Sequence, residues 1–409
     1  MSAASNITMN QLLAFMAAQK GSDLHISADA IPRMRLHGEL KPLALPLLSQ
    51  EEATRIIYTI LNKDQIHKLE TTKDLDCSYE LPGVSRYRVN VCYQRGRIRT
   101  TIRTIPTEIK SFQDLGMEGG VFEKICQIPK GLILVTGATG SGKSTTLAAM
   151  IDYVNRNRPN HIVTIEDPIE FVHPDKNCMV TQREIGADTA TFASALKHVL
   201  RQDPDIVLIG EMRDRETVQV GLELSETGHL TFATLHTSDA IQTINRVIDI
   251  FPPDQQSQIR TQLGFVLEAV VCQQLLKTVD GKGRCVAQEI LLATQSVRAN
   301  IRSDKIHQVY SALQTSSQAG MSTMNQSLAR LVKIGKIDVE SAMKNSSKAD
   351  ELEVLLREDG HDVQARATFN MDGTAKDSMP EPRSPAGGGG ASGRNADGAP
   401  GKSGGSRKW

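Results

Sequence analysis

Eight residues, Gly137 to Ser144, read G-A-T-G-S-G-K-S and place two glycines, a lysine and a hydroxyl at the spacing G-x-x-x-x-G-K-S. Glycines at those points let a loop adopt unusual dihedrals and bring its N–H groups close to a phosphate. Lys143 would reach the β- and γ-phosphates of a nucleotide, and the Ser144 hydroxyl suits magnesium. The context matches: an apolar run from Gly131 to Thr136 precedes the loop and a helical pattern, TTLAAMIDYV, comes after it. Nucleotide contacts are expected along Gly137, Ala138, Thr139, Gly140, Ser141, Gly142, Lys143, Ser144 and Thr145. The motif does not distinguish ATP from GTP.

Hydrolysis also needs a group that activates water and a carboxylate that serves the metal. In DIVLIGEMRDRET, four apolar residues from Ile206 to Ile209 read as a strand buried on both faces, ending in Gly210 and Glu211. In HIVTIEDPIEF a second run, His161 to Ile165, ends in Glu166 and Asp167, and Pro168 stops it. The carboxyl ends of parallel strands share the ligand-binding edge. Glu166 and Glu211 are therefore expected to flank one γ-phosphate, Glu166 polarising the attacking water and Glu211 serving magnesium, through its waters. The bland alternative makes Glu166, Asp167 and Glu170 solvated loop acids; the phosphate loop weighs against it.

A third strand, in TGHLTFATLHTSDA, has His229 before it and His236 after it. A histidine at a strand end can bond a phosphate or a carboxylate and so report hydrolysis, although a structural histidine is the commoner case. Charge spreading over the γ-phosphoryl group calls for further cations. In SRYRVNVCYQRG, alternation sets Tyr87, Val89, Val91 and Tyr93 against Arg86, Arg88 and Asn90. In RIRTTIRTI, Ile98 and Ile102 oppose Arg97, Arg99, Thr101 and Arg103. The two strands together predict a basic, uncovered sheet face, which is either a solvated surface or the source of those cations, from the same or a neighbouring subunit.

The elements that must carry these groups fall into successive pieces of a 409-residue chain. Residues 1–110 predict a small α+β domain, with a capping box at Ser49 and Glu52 ahead of a helix. Residues 111–130 read as a linker, and residues 131–290 alternate apolar strands with helices, the signature of a doubly wound α/β domain. Residues 291–357 read as short helices, and residues 358–409, with four glycines from Gly387 to Gly390, predict a disordered tail.

Composition excludes other classes. Apolar residues make up 39% and charged residues 23%, as in globular proteins with real cores. A formal net charge of zero and 4% aromatics argue against a nucleic-acid partner. The six cysteines contain no C-x-x-C pair, which favours reduced thiols in a cytoplasmic protein over disulfides or a zinc site. Neither a signal segment nor a spanning run is legible, so any membrane association is expected to be peripheral.

GATGSGKST, TIEDPIEF, LRQDPDIVLIGEMRDRET and ETGHLTFATLHT, in that order, make the chain resemble the type IV pilus retraction ATPases, the PilT-like branch of the type II/IV secretion ATPase superfamily. The similarity runs from Gly21 to about Arg357. It implies a homohexameric, ATP- and magnesium-dependent motor with a PAS-like N-terminal domain and a RecA-like ATPase domain. Glu166 then matches the catalytic glutamate of the acidic box, Glu211 the Walker B glutamate, and His229 and His236 the histidine box. Arg88 and Arg103 match the phosphate-contacting arginines. The implied partners are an inner-membrane platform protein at the pilus base and a paralogous retraction ATPase. Only Cys272 and Cys285 stand where extension and secretion relatives carry a four-cysteine zinc insert. The segment SVRANIRSD keeps Arg298, Ile301 and Arg302 of the retraction branch's C-terminal motif but differs at Ala299, Asn300 and Ser303. An accessory retraction paralogue with little independent motor activity is the alternative implied, and a pilus-extension or secretion ATPase, disfavoured by the missing zinc cysteines, is the weaker one.

Overall fold

The structure, a computed structural model, describes residues 7–361 apart from 107, 118, 317 and 318. The expected disordered tail falls, from residue 362 onward, outside the described residues.

Six strands form the first sheet: β1 (Asp23–Ser27), β2 (Arg33–Leu36), β3 (Glu39–Pro42), β4 (Asp74–Leu81), β5 (Ser85–Gln94) and β6 (Arg97–Ile105). Their order is β3-β2-β1-β6-β5-β4, antiparallel throughout. The period-two pattern decides which face is buried: Tyr87, Val89, Val91, Ile98 and Ile102 are fully buried, against Leu13 and Met16 of the helix Met9–Ala18 and Ile56 and Ile57 of the helix Gln50–Tyr58. Each such side chain contributes roughly 1.5–3 kcal/mol of burial. Ser49 and Glu52 form the expected capping box, at 3.2 and 2.9 Å.

Seven strands form the second sheet: β7 (Gly131–Thr136), β8 (His161–Glu166), β9 (Met179–Glu184), β10 (Ile206–Ile209), β11 (Leu230–Leu235), β12 (Leu267–Lys277) and β13 (Arg284–Leu292). The order is β13-β12-β7-β11-β10-β8-β9, parallel except for the β12–β13 hairpin. Strands β7, β10 and β11 are buried along their whole length because helices cover both faces. Leu132 and Leu134 join one core, with the helices Phe192–Val199, Arg215–Glu226, Ala240–Asp249 and Pro253–Val266. Ile133 and Val135 join the other, with the helix Lys143–Asn157.

That second core also takes up Phe112, Met117, Val121, Phe122, Ile125 and Cys126. The segment expected to be a linker is thus packed under the seven-stranded sheet, where its apolar residues cover the face beside the helix Lys143–Asn157. The helices Met324–Lys333 and Ala349–Glu358 pack on Leu276 and Ala287 of the β12–β13 hairpin. No helix among the described residues is long and apolar enough to cross a membrane.

The two sheets touch through an ion pair. Arg86 of β5 meets Glu184 of β9 at 3.2 Å, with Glu184 buried.

Candidate active site

Strand β7 delivers the chain into the glycine loop, and the helix Lys143–Asn157 leaves it. Gly137 has φ +142° and a Cβ there would lie 2.4 Å from the Gln273 carbonyl oxygen and 2.6 Å from Ser141 Oγ. Gly142 has φ +91°. Both positions therefore need glycine, the first for lack of space and both for their backbone conformation. Lys143 Nζ donates to the carbonyls of Gly137 and Ala138 at 2.8 and 3.1 Å. Burial lowers its pKa, and the charges of Glu211 and Glu170 offset part of that effect. Ser141 Oγ is buried without a hydrogen-bond partner. Ser144 and Thr145, in the first turn of the helix, are partly exposed. A loop with positive-φ glycines, an orphaned buried hydroxyl, a lysine at its mouth and a helix N-terminus behind it fits a nucleotide phosphate chain.

The two glutamates stand at the ends of neighbouring strands. Strands β8 and β10 are parallel neighbours with Ile165 opposite Ile209, so Glu166 and Glu211 leave the sheet at the same edge. Their environments differ. Burial raises the Glu166 pKa, against the opposing hydrogen bonds from Thr164 at 2.6 Å and Gln182 at 3.1 Å, both to Oε1. Burial would raise Glu211 also, but Arg213 at 2.7 Å and His236 at 3.3 Å hold its carboxyl below the ordinary range. Environments that separate two carboxylates in this way assign them different work: the raised one suits a base, the lowered one stays an anion.

His236, one residue beyond β11, reaches this edge through Glu211. His229 does not. It precedes β11 at the opposite edge of the sheet, where its Nδ1 lies 3.0 Å from the Leu224 carbonyl and 3.1 Å from Thr227 Oγ1. A six-residue strand separates the two histidines, a span of roughly 20 Å at ~3.3 Å per residue. The expectation that His229 shares this site is corrected within one chain, because a strand of a parallel sheet puts its two ends on opposite edges.

Arg88 and Arg103 are direct cross-strand partners on β5 and β6, both exposed. Among the described residues no hydrogen bond or ion pair joins either to the glycine loop. Arg103 donates to Asp23 at 2.8 Å, and Arg35 approaches the same carboxylate at 3.7 Å. Burial alone would raise the Asp23 pKa, yet hydrogen bonds from Arg103 and Ser22 bring it down. The basic face is therefore less free than alternation implied: Arg103 shares a buried aspartate and Arg86 is committed to Glu184. Gln182 and Asp23 were not legible as site residues, since each acts through a partner that only the fold brings near, whereas Thr164 and Arg213 stand two residues from the glutamates they bond and went unread for want of a motif. The arginines of SVRANIRSD are also engaged: Arg298 bonds Glu268, Phe265 O and Ala293 O at 2.7–2.8 Å, and Arg302 lies over the Phe265 ring.

A parallel α/β sheet that ends in a phosphate loop, with two carboxylates on adjacent strands, defines a P-loop protein. The family model for type II/IV secretion system proteins matches residues 3–372, and the chain belongs to that family. It is 47% identical over 338 residues to the type IV pilus retraction ATPase PilT of Pseudomonas aeruginosa, covering 83% of this chain and 98% of the relative. It is 38% identical over 347 residues to the type IV pilus ATPase PilU of the same organism, covering 85% and 91%. A crystal structure of the pilus retraction motor PilT with bound ADP superposes with a TM-score of 0.80 at 44% identity, over 85% of this chain and all of that one.

Proposed function

We propose that this chain is an ATP-hydrolysing motor that drives type IV pilus retraction, working as a homohexamer at the cytoplasmic face of the inner membrane against a platform protein at the pilus base. The carrying observation is the convergence of Lys143, Glu166, and the Glu211–His236 pair on one edge of the sheet, in a chain 47% identical to a retraction ATPase. In this reading the six-stranded sheet is a PAS-like module and the seven-stranded one a RecA-like core.

Each chemical task falls to a group of the chain itself. Loop N–H groups and Lys143 bind the phosphate chain. Glu166 takes the proton from the attacking water, with Thr164 and Gln182 holding its Oε1 in place. Ser144 and, through water, Glu211 would hold magnesium when it is bound with ATP, and the ion would supply charge neutralisation for the phosphoryl group. His236 is placed to register a change at Glu211. Arg88 and Arg103 complete the charge around the γ-phosphoryl group after a domain or subunit movement brings their face to it.

The second reading is an accessory paralogue that assists another motor. One observation favours it: Ala299 and Ser303, two of the three altered positions of SVRANIRSD, lie exposed at the helix Gln295–Arg302 and its C-cap, where they leave packing intact and change a surface. Surface pili in a strain lacking this gene, complemented with wild type or Lys143→Ala, separate the readings. Abundant pili that retract only with the wild-type gene are expected of the motor; retraction undiminished by Lys143→Ala would demote the chain to an accessory.

A further inference from the structure

Gln273 lies on β12, a strand that no phosphate motif includes. Strand β12 runs parallel to β7 with Cys272 opposite Thr136, so the next residue along, Gln273, sits level with Gly137, the first glycine of the loop. Its side chain is 2% exposed and both ends of its amide are used. Nε2 donates to the Ser141 carbonyl at 2.8 Å, and Oε1 accepts from Thr146 Oγ1 at 2.9 Å. The partners fix the amide's orientation, since a carbonyl can only accept. The outer glycines of the motif pack on the same residue: a Cβ at Gly137 would meet the Gln273 carbonyl oxygen, and one at Gly142 would come within 3.2 Å of Nε2.

We infer that Gln273 is the positioning residue of the phosphate loop, holding the Ser141–Gly142 peptide so that the Gly142 N–H is aimed at the bound phosphate. A trans peptide directs its C=O and N–H to opposite sides. Tying the Ser141 carbonyl down onto β12 turns the Gly142 N–H up into the cradle. Thr146, one turn into the helix, locks the other end of the amide, so loop and helix are set against a strand rather than only against each other. Pre-set donors cost nothing to organise when the phosphate arrives. The same contact is made to substrate and to the reacting phosphoryl chain, so its loss weakens binding more than it slows chemistry.

The inference rests on the nucleotide-binding reading, and ADP titration of the full-length protein tests the two separately. Gln273→Met keeps the length of the side chain and removes both hydrogen bonds. ADP is expected to bind it about tenfold more weakly, the size of one buried hydrogen bond, with KM for ATP rising in step and kcat changing less than about threefold. Gln273→Glu, which turns a carboxylate toward the Ser141 carbonyl, is expected to bind still more weakly. A purely structural role would instead lower the melting temperature of the nucleotide-free protein and leave the folded fraction's affinity intact. If Gln273→Met does not fold, Thr146→Val frees the amide's far end and is expected to weaken ADP binding by about threefold. Affinity within twofold of wild type in folded Gln273→Met, or in Thr146→Val should that be the one measured, overturns the inference; wild-type protein that binds no ADP overturns the nucleotide reading itself.

Discussion

At the scale of single residues, the site works by giving like groups unlike surroundings. Glu166 has its pKa raised by burial, so it is a stronger base than a surface carboxylate and titrates nearer neutrality. Glu166→Gln is expected to lower ATP turnover by ~10²–10⁴-fold while ADP still binds; turnover near wild type would remove Glu166 from its role. The pH profile carries a sharper expectation. Activity needs the carboxylate form, so it falls as pH drops through the raised pKa. Gln182 donates to Oε1 and pulls that pKa down; Gln182→Met should move the acid limb of kcat to higher pH, and a limb that stays in place would count against Glu166 as the titrating base. The glycine loop, Glu166 and Glu211 were legible in the sequence because each is dictated locally: glycine by backbone conformation, the glutamates by standing at the end of an apolar run. Gln182, Asp23 and Gln273 were not, since their work is done on residues 16, 80 and 132 positions away.

At the scale of elements, the segment between β8 and β9 is pinned to the helix that begins with Lys143. Asp152 of that helix pairs with Lys176 and with Arg156, and Asn155 Nδ2 donates to the Pro174 carbonyl at 2.7 Å. His173 is buried in this contact, with Nδ1 unpartnered, and burial pushes its imidazole down to about 4 despite the nearby Asp152 carboxylate. The unfolded chain takes up a proton near pH 6.5 that the folded one refuses until about pH 4. Stability is therefore full above pH 6.5 and lost as pH falls below it, at about 1.4 kcal/mol per pH unit from this one group. His173→Leu, which has no side-chain hydrogen bond to forfeit, should reduce the drop in urea-unfolding stability between pH 6.8 and 5.2 by about 1–2 kcal/mol; an unchanged drop would show that His173 is not the acid-sensitive group. Element order was readable from period-two and helical patterns. Two expectations are revised, each for its own reason. Residues 111–130 carry an ordinary share of apolar side chains, but Gly116, Gly119, Gly120 and Pro129 interrupt them so that no long period announces a packed segment, and His229 was grouped with His236 because a strand's two ends look alike in sequence until the parallel sheet sends them to opposite edges.

At the scale of the whole molecule, the question is how the arginine-bearing sheet is tied to the catalytic one. Arg86 sits on β5 two residues before Arg88, and Glu184 sits on β9 opposite Glu166 in the β8–β9 register. The Glu184 carboxylate also accepts the Ile169 N–H at 3.2 Å, so the loop that leaves Glu166 and the sheet that carries Arg88 share one buried anion. A movement of the first sheet that withdrew Arg86 would leave Glu184 unpaired in a site where it is 4% exposed, and breaking such a pair from one side costs more than removing both members. The joint is thus both a resting-state restraint and a line from the arginine face to the water-activating glutamate. Arg86→Met alone should destabilise the protein by about 1–3 kcal/mol, while Arg86→Met with Glu184→Gln recovers part of that loss. In ATP turnover the same cycle should be non-additive, because both single changes act through the Glu166 loop. Strictly additive effects on stability and on kcat would mean that the two sheets are joined for shape alone, and that whatever brings Arg88 and Arg103 to the nucleotide does not pass through this contact.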